Sequence, residues 1–258
     1  MFEQTHNLIQ LIKTSNPLVL HLTNYVTMEW IANGLLSFGA SPVMTESIHE
    51  IDDLVQIANS LVINIGTLGD DFLARCEAAC KTANHLGKPI VFDPVGCGAT
   101  PYRTRTCLNF LDRFQFTVIR GNASEIMALA GHHTQTKGVD SLHMTDEAIE
   151  SALNLSSRYQ TTVAISGKTD YIITNQTIQK IERGSSMMTK ITGSGCLLAS
   201  VVAAANAVCN CAASATTSAL LFYSICGEIA AQKSTGPGSF HTHFLDTLSC
   251  LPMRHDYE

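Results

Sequence analysis

The chain has 258 residues, enough for one large α/β domain with a full core or for two small ones. Its formal charge of −6 argues against nucleic acid or an acidic membrane as a main partner, since both need clustered Lys and Arg. Hydrophobic residues make up 45% and charged residues only 15%, which points to an unusually large core or to surface hidden in an oligomer.

Met1 to Lys13 mixes acidic and polar residues without the apolar stretch of a signal peptide, so a cytoplasmic protein is expected. Five apolar runs of strand length follow: Leu18 to Leu22, Leu61 to Ile65, Pro89 to Phe92, Thr117 to Ile119 and Thr162 to Ile165. They are continuous rather than alternating, as strands covered on both faces must be in a parallel sheet. Helical patterns lie between them, including Asp70 to Leu86 and Thr145 to Tyr159, the latter opening on a capping-type Thr145. Asp170 to Arg183 alternates, with Asn175 near a turn, and reads as a hairpin at a sheet edge.

The last third is helical. Ile191 to Gly227 holds no Asp, Glu, Lys or Arg, but Ser200, Asn206, Asn210, Ser214, Thr216, Thr217 and Ser218 interrupt it. A membrane span needs about 20 predominantly apolar residues, so two buried helices fit better and no membrane partner is expected. Neither a linker nor a repeat divides the chain, and one α/β domain over residues 1–258 with right-handed crossovers is expected. The nine cysteines include no CxxC pair, and read as reduced thiols packed as small hydrophobes.

In open α/β sheets ligands sit beyond the carboxyl ends of the strands. The residues there are Thr23-Asn24, Gly66-Thr67, Asp93 to Gly96, Arg120-Gly121-Asn122 and Ser166-Gly167, polar or Gly-rich in every case. The strongest local signal is Thr192-Gly193-Ser194-Gly195-Cys196, directly before an apolar helix. Its glycines permit a tight turn that exposes N–H groups at a helix's positive end, a site for an anion or for developing negative charge. Cys196 falls in the first turn, where a thiol's pKa is expected to fall. By itself the motif also fits a plain helix-entry turn with a buried cysteine.

Asp93 and Glu125 each lie at or near a strand's carboxyl end and together can hold hydrated Mg²⁺, while Arg120 can brace a phosphate bidentately. Taken singly, Asp93 also fits a turn ahead of Pro94, and Glu125 a helix N-terminal charge. With the anion turn downstream, the three together point to phosphate chemistry.

The chain resembles the hydroxyethylthiazole kinases of the ribokinase-like superfamily. The matching stretches are Thr23 to Val26, Ala32 to Leu36, Gly39 to Met44, Asn64 to Leu68, Asp93 through Thr100, Ile119 to Ile126, Lys137 to Ser141, Thr192 to Cys196 and Gly236 to Phe240, in family order from about residue 17 to 250. The resemblance implies a mostly parallel sheet flanked by helices on both faces, ATP and Mg²⁺ dependence, and a thiazole alcohol as acceptor in thiamine salvage. It implies Asn24 and Met44 as thiazole contacts, Gly193 at the acceptor alcohol, Arg120 and Ser166 as ATP contacts, and Asp93 and Glu125 around the metal. Cys196 takes the place of the superfamily's usual Asp base, and Gly193 to Cys196 form the anion hole. The family is described as homotrimeric, with the site at the subunit boundary.

Ser194 departs from the family's usual Thr but keeps the hydroxyl. His241-Thr242-His243 invites a metal reading, yet i, i+2 spacing on a helix separates the rings, and surface histidines are expected. Two alternatives stay open: a kinase or dehydratase of the same fold acting on another substrate, and a non-catalytic binder on a kinase scaffold.

Overall fold

The computed structural model describes residues 1–132 and 141–250. Of the family-like stretches, Lys137 to Asp140 lies outside them. In chain order the elements are α1 (Phe2–Ser15), β1 (Leu18–Leu22), α2 (Met28–Phe38), β2 (Ser41–Met44), α3 (Ile51–Ile57), β3 (Ser60–Asn64), α4 (Asp70–His85), β4 (Ile90–Asp93) and α5 (Pro101–Arg113). They continue with β5 (Val118–Asn122), α6 (Ala123–Leu129), α7 (Ser141–Tyr159), β6 (Thr162–Ser166), β7 (Asp170–Ile173), β8 (Ile178–Ile181), α8 (Ser194–Val208), α9 (Ala212–Gln232) and α10 (Pro237–Ser249).

The eight strands form one sheet in the order β2-β1-β3-β4-β5-β6-β7-β8. The first six are parallel, and β7 and β8 add an antiparallel edge. Residues 60–64 and 90–93 are buried throughout, because apolar layers cover both faces of the sheet. One layer joins Trp30, Phe38, Leu197, Phe222, Tyr223 and Phe244 from the flanking helices with Val62 and Val91; the other joins Ile51, Phe72, Cys80, Phe110 and Ile126 with Ile63 and Phe92.

The charge-free stretch is the axis of the first layer. α8 packs on β1, β3 and β4 and is flanked by α1, α2 and α9. Its residues 197–206 are all buried, and four of them are alanine, so the helix can lie close to the strands on one side and to helices on the others. Among the described residues no helix is long and apolar enough to cross a membrane.

The five strands read from apolar runs are all present, displaced by at most a few residues, and the hairpin turns between Ile173 and Ile178. β2 was not visible as a strand. It is a half-buried edge strand containing Pro42, and only one neighbour pairs with it. Thr145 is not the start of its helix: α7 begins at Ser141, since Leu142 and Met144 favour helix and extend the pattern backwards.

A titratable histidine is among the polar groups buried in these layers. His21 of β1 has no exposed surface, and its Nε2 lies 3.0 Å from Ser200 Oγ on α8. Burial pushes its pKa down from 6.5 to about 4, against hydrogen bonds at Val19 and Val43 that favour the charged form. The unfolded chain therefore binds the proton first as pH falls. His21's contribution is intact above pH 6.5 and is lost progressively toward pH 4, by about 3 kcal/mol. Urea midpoints of wild type and His21→Asn should converge over that interval; a stability difference independent of pH would show that His21 does not titrate this way.

Candidate active site

Seven of the eight strands, all but β7, end at the same side of the sheet, and the N-terminus of α8 reaches that side. Asp93 is the last residue of β4 and has no exposed surface. Its Oδ2 accepts a 2.7 Å hydrogen bond from Asn64 Nδ2, at the end of the neighbouring β3. Its Oδ1 has no hydrogen-bond partner and stands 3.6 Å from Nη1 of Arg120, itself almost wholly buried on β5. Burial raises the Asp93 pKa to about 7; Arg120 opposes the rise, and Glu125 adds to it.

Arg120 also donates through Nη2 to Ser166 Oγ at the end of β6. The two sequence-expected ATP contacts are therefore joined directly. Gly195 packs over the guanidinium so closely that a Cβ there would lie 2.6 Å from Nη1. Gly193, at φ +82°, is the N-cap of α8, and a Cβ there would lie 2.6 Å from Thr27 Cγ2. Tyr223 steadies the turn by donating its hydroxyl to Ser194 O at 2.6 Å. Ser194, Gly195 and Cys196 occupy the first helical turn, whose N–H groups have no intrahelical acceptor, so the expected anion hole has its donors beside Arg120.

Cys196 is half-buried, and Asn24 Nδ2 donates to its sulfur at 3.4 Å. The expectation of a depressed thiol pKa is corrected. Burial raises it, and the nearby Asp93 raises it further; the Asn64 amide, the hydrogen bond from Asn24 and the charge of Arg120 only partly offset them. The helix terminus acts on a group already stripped of water.

Glu125 fills two roles at once. Asn122 caps α6 by accepting from Glu125 N, while Glu125 Oε2 accepts from Asn122 N at 2.9 Å. Its Oε1 accepts from Gly96 N at 2.9 Å, tying the loop after β4 to the start of α6. The helix-terminus reading of Glu125 thus holds, and its electrostatic influence on Asp93 keeps it at the same site. A buried Asp93 with one unpartnered oxygen, beside a Glu already engaged with backbone N–H groups, fits a Mg²⁺ ion that keeps several waters. Among the described residues, no group of three or more His, Cys, Asp or Glu is placed to hold a metal by itself.

Met44 ends β2 opposite His21, so its side chain points to the α8 side of the sheet, at the margin of the cluster. The histidine pair separates: His241 stacks on Trp30 at 4.0 Å between centroids, and His243 Nδ1 lies 3.9 Å from Asp246. Cys97, in the loop after β4, and Cys107, on α5, are both buried. A cavity of about 600 Å³ lined by Thr174, Gln179 and Thr217 opens by the β7–β8 turn and includes none of the cluster's residues.

Two contributors were not singled out from sequence. Asn64 was read as an interior residue of an apolar run; its signal was an amide that burial would oblige to find partners. Arg103 on α5 donates to the carbonyls of Ile65 at 2.7 Å, Val95 at 2.9 Å and Gly66 at 2.9 Å, bracing the loops after β3 and β4. An exposed-looking helical arginine carries no such signal in sequence.

The hydroxyethylthiazole kinase family model matches residues 9–254. The chain is 43% identical to a hydroxyethylthiazole kinase of Syntrophus aciditrophicus, over 95% of this chain and 92% of the relative. It is 44% identical to one of Brachyspira hyodysenteriae, over 97% and 95%. Among solved structures, a hydroxyethylthiazole kinase protein of Pyrococcus horikoshii superposes with a TM-score of 0.88 at 37% identity, covering 96% of this chain and 93% of that one. A Bacillus subtilis pyridoxal kinase, at TM-score 0.61 and 17% identity, shares the ribokinase-like fold. With near-complete coverage by sequence and structure, this chain is a kinase that belongs to the hydroxyethylthiazole kinase family.

Proposed function

We propose that this enzyme transfers the γ-phosphate of ATP to the hydroxyl of 4-methyl-5-(2-hydroxyethyl)thiazole, in thiamine biosynthesis or salvage, as a single kinase domain in the cytoplasm. The observation that carries this reading is the meeting of the α8 N-terminus with Asp93, Arg120 and Cys196 at one end of the sheet. The printed names of its relatives support the choice of acceptor.

Phosphoryl transfer needs positioning and charge stabilisation more than covalent chemistry. Asp93, and Glu125 through water, would hold Mg²⁺, which when bound neutralises charge on the phosphates. Arg120, braced by Ser166, holds the triphosphate, and the N–H groups of Ser194 to Cys196 receive charge on the transferring group. Asn24, Met44 and Gly193 line the acceptor side. The hydroxyethyl oxygen bonds to the γ-phosphorus as the bond to the ADP oxygen breaks, and its proton passes to the Cys196 sulfur. Only the thiolate of Cys196 can take that proton, and burial and Asp93 keep the thiolate scarce, so transfer runs through the minor ionised fraction of the enzyme. Cys196 acts as a modest base and not as a nucleophile.

The same reading includes a homotrimer with the site at the subunit boundary. Three features support it: β2 is an uncovered sheet edge, Tyr25, Val26 and Ile48 are exposed in the segments that follow β1 and β2, and charged residues are few.

Purified protein with MgATP and the thiazole alcohol should yield the thiazole phosphate by mass spectrometry, with pyridoxal in parallel as the competing acceptor. Asp93→Ala and Arg120→Ala should each lower turnover by on the order of 10²–10³-fold, as loss of a group that stabilises transition-state charge does. Phosphate appearing on pyridoxal alone would overturn the substrate. Cys196→Ala should lower kcat by about 10²-fold with little change in KM for the thiazole, and Cys196→Asp should retain activity. Full turnover in Cys196→Ala would remove the base from the mechanism.

A further inference from the structure

We propose that Asn64 is a positioning residue for phosphoryl transfer, turning Asn24 toward the Cys196 sulfur and leaving Oδ1 of Asp93 as the open oxygen of that carboxylate. The inference rests on the functional reading above and adds to it a residue that touches neither substrate nor metal.

The argument begins with an amide whose orientation has only one solution. Gly66 N–H can only donate, and it lies 3.0 Å from one end atom of the fully buried Asn64 side chain, which must therefore be the oxygen. Nδ2 is then obliged to face the other way, where it donates to Asp93 Oδ2 at 2.7 Å. The same logic runs through Asn24. Asn64 Oδ1 can only accept, so the Asn24 atom 3.0 Å from it is Nδ2, which leaves Asn24 Oδ1 to accept from the Thr27 hydroxyl at 3.0 Å. The same Nδ2 lies 3.4 Å from Cys196 Sγ, so the sulfur is held as an acceptor.

Donors thus run in one direction from the acceptor side to the phosphate side. Thr27 donates to Asn24, Asn24 to Asn64 and Cys196, and Asn64 to Asp93. Reversing Asn64 would set donor against donor at Gly66, and reversing Asn24 would set oxygen against oxygen at Asn64, so the chain has one low-energy state. Two consequences reach the reacting groups. A sulfur that accepts a hydrogen bond from Asn24 keeps a fixed place for receiving a proton from the acceptor alcohol. An Asp93 whose Oδ2 is occupied presents Oδ1, the oxygen without a partner, to the space beside Arg120. Asn64 joins both sides, at the end of a central strand with no freedom to move.

Two variants test this, each checked first for an unchanged fold by circular dichroism. Asn64→Asp has the same shape and keeps the oxygen that accepts from Asn24 and Gly66, but offers Asp93 an oxygen in place of a donor. It should lower kcat by about 10²-fold, the scale of a misplaced reacting group, while KM for the thiazole alcohol stays within about twofold. Asn64→Leu removes both ends. It should lower kcat similarly and also weaken binding of the thiazole alcohol, measured by calorimetry without nucleotide or metal, by about tenfold; Asn64→Asp should bind it like wild type. KM for ATP should hold in both. A residue that merely supports the fold would lower every parameter together and would show no such split between variants, and that result overturns the proposal. So does wild-type kcat in either folded variant. Wild-type enzyme that fails to phosphorylate the thiazole alcohol overturns the functional reading itself, a result distinct from turnover that ignores Asn64.

Discussion

The site depends on keeping an aspartate dry. Asp93 ends a central strand with no surface of its own, and a carboxylate there is costly unless charge and hydrogen bonds meet it. Arg120 meets it from β5 and Asn64 from β3, the strands on either side, so the sheet itself supplies the compensation. The pairing is incomplete: burial still dominates, and one carboxylate oxygen keeps no partner. That residual mismatch is what a cation and a phosphate would relieve. Compensation by neighbouring strands also explains why the site lies in the middle of the sheet and not at its edge.

α8 supplies the second half by bringing its N-terminus over these strand ends. The helix can do so because it carries small residues where it meets the sheet and because Gly195 leaves room for the Arg120 guanidinium. Its cysteine arrives in the first turn, yet the closeness that builds the site strips water from the sulfur and sets it near Asp93. The proposed base and the proposed metal carboxylate are thus held together at the expense of the thiolate that the base would need.

Much of this was legible in the sequence, for physical reasons. A strand covered on both faces must be apolar throughout, so Leu18 to Leu22 and Thr162 to Ile165 announced themselves, and polar residues after each strand marked the functional end. Asp93, Arg120, Ser166 and the Gly193 turn were found by that rule and by resemblance, and all lie at the same end of the sheet. β2 escaped because an edge strand need not be apolar on both faces. Asn64 escaped because an amide within an apolar run reveals its importance only through partners distant in sequence. The direction of the Cys196 shift escaped for a related reason. Helix position is a local property and can be read from spacing, whereas desolvation is set by everything packed around the group.

The guanidinium of Arg103 holds carbonyls from two loops, those after β3 and β4, and so makes them one mechanical unit. Loop length in most proteins drifts freely during evolution, because insertions at exposed tips disturb little. Here an added residue in either loop would pull on the other and would be felt at Asp93, while the β7–β8 turn carries no such tie. Insertions and deletions among descendants of this chain should therefore collect at the hairpin and spare the two braced loops, whatever substitutions occur in either.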